Sequence, residues 1–229
     1  MSRTLNVVRM QFINKQTYVW VPLLVLGGSF ILSLMVFALI PVDAPKYGGG
    51  SQAPLWYFLV VGVQSLTLTF PFSQAMSVTR REFYLGTLLA ATVTAGMLAI
   101  VFVVGGFIEQ ATTGWGINGY FFYLDWIWAA GPLAAFFVYF AIAMLFFVIG
   151  FWTATIYKRF GSVWLTVVLV GIGLILVGLM WLTGLADAWV AVFTWIAEQG
   201  ALGLALWGVL VGAVLAGVSF LILRRAVPA

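Results

Sequence analysis

The sequence predicts an all-α membrane protein with six transmembrane helices and both termini cytoplasmic. Three observations predict it. Hydrophobic residues make up 64% of the 229-residue chain and charged residues only 7%, whereas soluble domains are roughly half apolar and a quarter charged. Long apolar runs recur, each close to the roughly 20 residues that a helix needs to cross the hydrocarbon core. The charges also sort by side. With both ends inside, Arg3, Arg9, Lys15, Arg80, Arg81, Lys158, Arg159, Arg224 and Arg225 are cytoplasmic and only Lys46 is outside. Asp43, Glu109, Asp125, Asp187 and Glu198 fall outside and only Glu82 inside. Short cytoplasmic loops are enriched in Lys and Arg, and an odd number of spans would break this alternation.

The chain reads as one transmembrane domain over 1–229, with 1–17 an interfacial helix and 18–229 the six-helix membrane domain. No polar segment is long enough for a separate soluble domain. At the N-terminus, Leu5, Val8 and Phe12 share a helical face, and Arg3, Arg9 and Lys15 are placed to meet lipid phosphates. That pattern suits a helix lying along the inner leaflet; a frayed terminus is the competing reading. The start does not read as a cleavable signal. Its apolar run exceeds the roughly 7–15 residues of a signal core, and no small-x-small cleavage site follows.

The spans are expected at 18–40, 55–76, 84–107, 127–156, 162–182 and 200–223. The second is the most polar, with Gln64, Ser65, Thr67, Thr69, Ser73 and Gln74, and Pro71 is expected to kink it. Polar groups in hydrocarbon are costly unless partnered, so this helix faces protein or water. Gln64, Ser65, Thr67, Thr69 and Gln74 are therefore candidates for lining a pathway, with glue between helices as the alternative. The loop 109–126 carries Trp115, Tyr120, Tyr123 and Trp126, which with Trp128 read as an interfacial aromatic belt. The stripe Gly208, Gly212 and Ala216 allows close helix approach in the last span. Between the last two spans, 184–200 is apolar but too short to cross and return. Asp187 and Glu198 bracket it, and Val190, Phe193, Ile196 and Ala197 share a face. An outer re-entrant or interfacial segment fits.

The segment Ser77-Val78-Thr79-Arg80-Arg81-Glu82-Phe83-Tyr84-Leu85-Gly86-Thr87 is a polar interruption between the second and third spans. Two arginines place it on the cytoplasmic side. Val78, Phe83, Tyr84 and Leu85 form one side of a short surface helix in this reading, and such a helix is a docking surface as well as a stop signal.

Several chemistries are excluded. Without Cys or His, the chain has no disulfide, no thiolate, no H-E-x-x-H and no His ligand, and no metal site is expected. It lacks G-x-x-x-x-G-K-[ST], so it holds no P-loop nucleotide. No carboxylate lies within a predicted span, and Glu109 comes nearest, which argues against a proton relay. The net charge of +4 sits at helix ends, where topology explains it, so nucleic acid is not an expected partner.

Together, the N-terminal amphipathic segment, six spans, the S-V-T-R-R-E-F-Y-L-G-T loop and the short outer segment resemble the ABC type-2 permease family, the membrane-spanning subunits of ABC exporters. The resemblance covers essentially the whole chain, and its most specific element is 78–87. It implies a separate ATPase subunit that binds ATP and Mg, with no cofactor and no catalytic residue in this chain. It also implies a second permease subunit, identical or not. Coupling is expected through Val78, Thr79, Arg80, Arg81, Glu82, Phe83 and Tyr84, and the outer re-entrant element carries Asp187, Phe193 and Glu198. The implied setting is the plasma membrane of a prokaryote, crossed several times. An ATP-independent six-helix carrier or channel is the rival reading.

Overall fold

A computed structural model describes residues 3–13 and 15–224; the side chains of Arg3 and Thr4 and the predicted cytoplasmic Arg225 lie outside what it describes. The fold is all-α. Five helical stretches are long and apolar enough to cross a membrane: Gln16–Leu39, Gly49–Ala75, Arg80–Ala111, Pro132–Leu185 and Trp189–Arg224. The helices are α1 (Arg3–Ile13), α2 (Val21–Leu39), α3 (Ala53–Gln64), α4 (Phe70–Ala75), α5 (Arg80–Ala111), α6 (Asp125–Trp128), α7 (Pro132–Leu185) and α8 (Trp189–Arg224).

At 54 residues, α7 is far too long for one span, since about 1.5 Å per residue makes it more than twice the roughly 30 Å of hydrocarbon. Gly161 interrupts it, with φ 85° and ψ 177°. The same device divides α8 at Gly200, with φ 60° and ψ −176°. The helical pieces are thus 132–160, 162–185, 189–199 and 201–224. The expected fourth span began too early: 127–131 belongs to α6 and a turn, and Pro132 opens the long helix at its first position, where a missing N–H costs nothing.

Two helices carry a π-helical stretch, and the two are alike. Gln16–Trp20 precedes Pro22, and Ser65–Thr69 precedes Pro71. Each proline follows the end of its π stretch by two residues. A proline inside a helix has no N–H to donate and crowds the carbonyl four residues back. Widening the preceding turn relieves that crowding, so the expected kink at Pro71 takes the form of a π-bulge.

The core forms where α3, α5, the 132–160 piece and 201–224 meet. At the α3–α7 crossing the backbones touch. A Cβ on Gly62 would collide with the Phe147 carbonyl oxygen, and one on Gly150 with that of Leu59. Elsewhere Leu145 lies over Gly208 and Gly212, so the small-residue stripe of α8 receives a neighbouring helix.

One end of the molecule gathers α1, the 76–79 turn, Lys158, Arg159 and the C-terminal end of α8. The opposite end holds a cap of loops. There β1 (Lys46–Tyr47) pairs in parallel with β2 (Gly119–Tyr120), and Lys46 Nζ donates to the Phe37 carbonyl at 3.1 Å, capping α2.

Candidate functional site

The turn between α4 and α5 is built from its own residues. Met76–Ser77 reverses the chain, with Ser77 at φ 56°. Gln74 Nε2 donates to the Val78 carbonyl at 3.1 Å and closes the loop. Thr79 then caps α5. Its hydroxyl accepts from the Glu82 amide, while the Glu82 carboxylate accepts from the Thr79 amide and hydroxyl, at 3.0 and 2.7 Å. This reciprocal box satisfies orphan donors at the helix start.

The capping box begins α5 at Arg80, and no separate surface helix forms. The helix runs unbroken to Ala111. That corrects the expected orientation of the aromatics. Phe83 is fully buried and lies edge-on to Phe70 at 5.1 Å. Tyr84 is buried too, donates its hydroxyl to the Ala216 carbonyl at 2.7 Å and packs against Phe151 and Phe220. Both side chains anchor α5 inside this chain. Arg80 is also occupied, since its Nη1 donates to the Arg224 carbonyl at 2.8 Å and more weakly to that of Leu223. Met76, Ser77, Thr79 and Arg81 are left exposed at the turn, with Val78 half-buried.

The N-terminal helix joins the same place. Gln11 is buried, donating to Thr87 Oγ1 and accepting from the Tyr18 hydroxyl, both at 2.9 Å. A buried polar chain thus connects α1, the first π stretch and the start of α5. The face of α1 buried within the chain is Val7 and Gln11, one turn apart; Leu5 is exposed. The buried amide turns that face toward α5, because Gln11 must find partners once out of water.

The polar second span divides. Ser65 and Thr67 donate back to the Gly62 and Val63 carbonyls, and Gln74 donates to the Val78 carbonyl in the turn, so these three have local hydrogen-bond partners. Half-buried Gln64 and Thr69 make no side-chain hydrogen bond among the described residues. At the far end, 189–199 is a helix whose residues are nearly all exposed, Phe193 and Glu198 included. Asp187, at φ 47°, turns the chain into it.

Glu109 has a role that no pattern of residue types announces. It is fully buried, and its carboxylate accepts four hydrogen bonds: from Trp115 Nε1 and from the amides of Phe121, Phe122 and Tyr123, at 2.7–2.9 Å. The Phe122 carbonyl in turn accepts from the Tyr139 hydroxyl at 2.6 Å. One acid therefore folds the loop that Thr113, Trp115 and Asn118 enter with positive φ. At the rim, Tyr47 donates to Asp125 at 2.7 Å, and this bond pushes the phenol up to about 12. Comparison with family models, curated proteins and solved structures gives no match.

Proposed function

We propose that the chain is the membrane-spanning subunit of an ATP-driven ABC exporter. In this reading it crosses the membrane six times with both ends cytoplasmic, Gly161 separating the fourth and fifth spans. The observation that carries it is the turn at 76–81. It is short, rigidly capped and basic, it projects between two long apolar helices, and α1 is tied to its base through Gln11 and Thr87. A turn of that kind transmits force only by seating in a partner, and a separate ATPase that binds ATP and Mg suits it. The charge partition supports the orientation, because seven basic residues, Arg9, Lys15, Arg80, Arg81, Lys158, Arg159 and Arg224, lie at the turn's end of the fold.

A second permease subunit completes the reading. Piece 162–185 has no buried residue, and Gly171 and Gly178 face open space. Small residues are what close helix contacts in lipid use. Gln64 and Thr69, which make no side-chain hydrogen bond among the described residues, lead the candidates Gln64, Ser65, Thr67, Thr69 and Gln74 for a pathway formed between two subunits.

The exposed side chains of the turn, rather than the aromatics, form the docking contact. In co-expression with an ABC ATPase subunit from the same genome, Met76→Ala with Arg81→Ala should lower co-purified ATPase about tenfold while leaving the melting temperature unchanged. Full ATPase recovery and full substrate-stimulated hydrolysis would reduce the turn to a topological stop and favour an ATP-independent carrier or channel.

A further inference from the structure

We propose that the groove between Arg159 and Arg224, at the C-terminal end of α8, is a binding site for the phosphate of an anionic phospholipid. A cavity of about 460 Å³ opens there, lined by Arg159, Val218, Leu221, Ile222 and Arg224. Its two cations stand beside three aliphatic side chains, the pairing that a charged headgroup with hydrocarbon below it requires.

The local chemistry favours an anion. A helix C-terminus is electronegative and would repel phosphate. Here its carbonyls are already covered: Arg80 donates to Leu223 and Arg224, and Arg159 donates to Ile222 at 3.4 Å. Each guanidinium carries five N–H donors in a planar fork suited to phosphate. Arg159 spends one of them on the Ile222 carbonyl. Ring faces hold the forks without consuming donors, with Arg159 over Phe160 at 4.8 Å and Arg224 beside Phe220 at 5.8 Å. Among the described residues Glu82 is the sole acid at this end of the fold, and Thr79 already engages its carboxylate.

The aliphatic wall decides between a lipid and a soluble phosphate. Leu221 is 60% exposed and Val218 39%, so the groove continues onto an apolar helix face where acyl chains can lie. Assigning the lipid to the inner leaflet rests on the orientation proposed above; binding itself does not require an ATPase.

The test uses the whole chain in nanodiscs of phosphatidylcholine with graded phosphatidylglycerol, reading retained lipid by native mass spectrometry. Arg159→Gln with Arg224→Gln should weaken phosphatidylglycerol retention about tenfold, the loss of two charge-assisted contacts. Arg81→Gln with Lys158→Gln removes the same charge from the same end but outside the groove, and should change retention less than about twofold. Melting in pure phosphatidylcholine checks folding, and Arg159→Lys with Arg224→Lys should recover part of the binding. Equal losses in both Gln pairs would mean diffuse attraction and would overturn the site, as would undiminished retention in the first pair. Complete displacement of lipid by millimolar inorganic phosphate would overturn the lipid assignment.

Discussion

The two halves of α7 are joined by a single glycine and are almost equally apolar, yet they live in different surroundings. Piece 132–160 buries Ala134, Ala135, Val138, Ala141, Ala143, Gly150 and Ala154 among its neighbours; 162–185 buries nothing. Hydrophobicity does not separate them, since lipid tails are as apolar as Leu and offer no reason to hide a Leu from them. What separates them is whether their small residues are met by a neighbour: Gly150 meets the Leu59 backbone, whereas Gly171, Gly173 and Gly178 of the second half face open space. The first half places Ala and Gly where backbones approach and slots Phe147 and Phe151 between them. The second half presents Leu, Val, Ile and Trp outward. In this chain, packing follows from the fit of small against large rather than from escape from solvent.

The comparison is broken most strongly in the packed body. Phe83→Ala removes a fully buried ring at the start of α5 and should destabilise the chain by about 4 kcal/mol, read as a lowered melting temperature in detergent. A change confined to ATPase docking, with melting unaffected, would mean that the ring is available to a partner after all. Glu109→Gln should cost about 3 kcal/mol, because an amide offers one acceptor oxygen where a carboxylate offers two and turns its NH2 toward backbone donors. Its loss should appear first as proteolysis within 112–124, ahead of global unfolding. Gly150→Ala pushes a methyl into the Leu59 carbonyl and forces α3 and α7 apart, for about 2 kcal/mol; Gly171→Ala, which meets open space, is its control and should be neutral.

Much of the helical pattern was legible because apolar run length is a direct consequence of membrane thickness. The structure's long helices begin and end within a few residues of most predicted spans. Gly161 and Gly200, where the chain breaks α7 and α8, stand at or beside the expected joints. The orientation of side chains was harder to read. Phe83 and Tyr84 follow Arg80 and Arg81 and so resemble a surface patch. The signal that places them correctly is Thr79-Arg80-Arg81-Glu82, the capping-box spacing. Once α5 starts there, Phe83, Thr87, Ala90 and Ala91 fall on one face, with Thr94 and Ala95 following. Glu109 was illegible for a different reason. Three of its four partners are backbone amides 12 to 14 residues away, and no pattern of residue types announces a main-chain donor. The approaches of Gly62 to Phe147 and of Gly150 to Leu59 likewise join helices that nothing local pairs.

The smallest expected effect sharpens the comparison furthest. Leu174 lies in the second half of α7 and is 68% exposed. Leu174→Ala leaves no cavity within the chain, because no neighbouring side chain closes over it, and the apolar surface removed faces detergent or lipid in the folded state. Its cost to a monomeric preparation should therefore stay below about 0.5 kcal/mol, the range of surface substitutions, whereas a buried Leu→Ala costs about 2–5 kcal/mol. Melting should be measured alongside oligomeric state by light scattering. A small shift in a monomer upholds the contrast between the halves of α7. A shift matching that of Gly150→Ala in a monomer would mean that 162–185 folds back onto its own chain, and the contrast would fail. The same large shift in a dimer, lost when the dimer is diluted apart, would mean that the second half is packed as tightly as the first, with its partner residues supplied by another subunit.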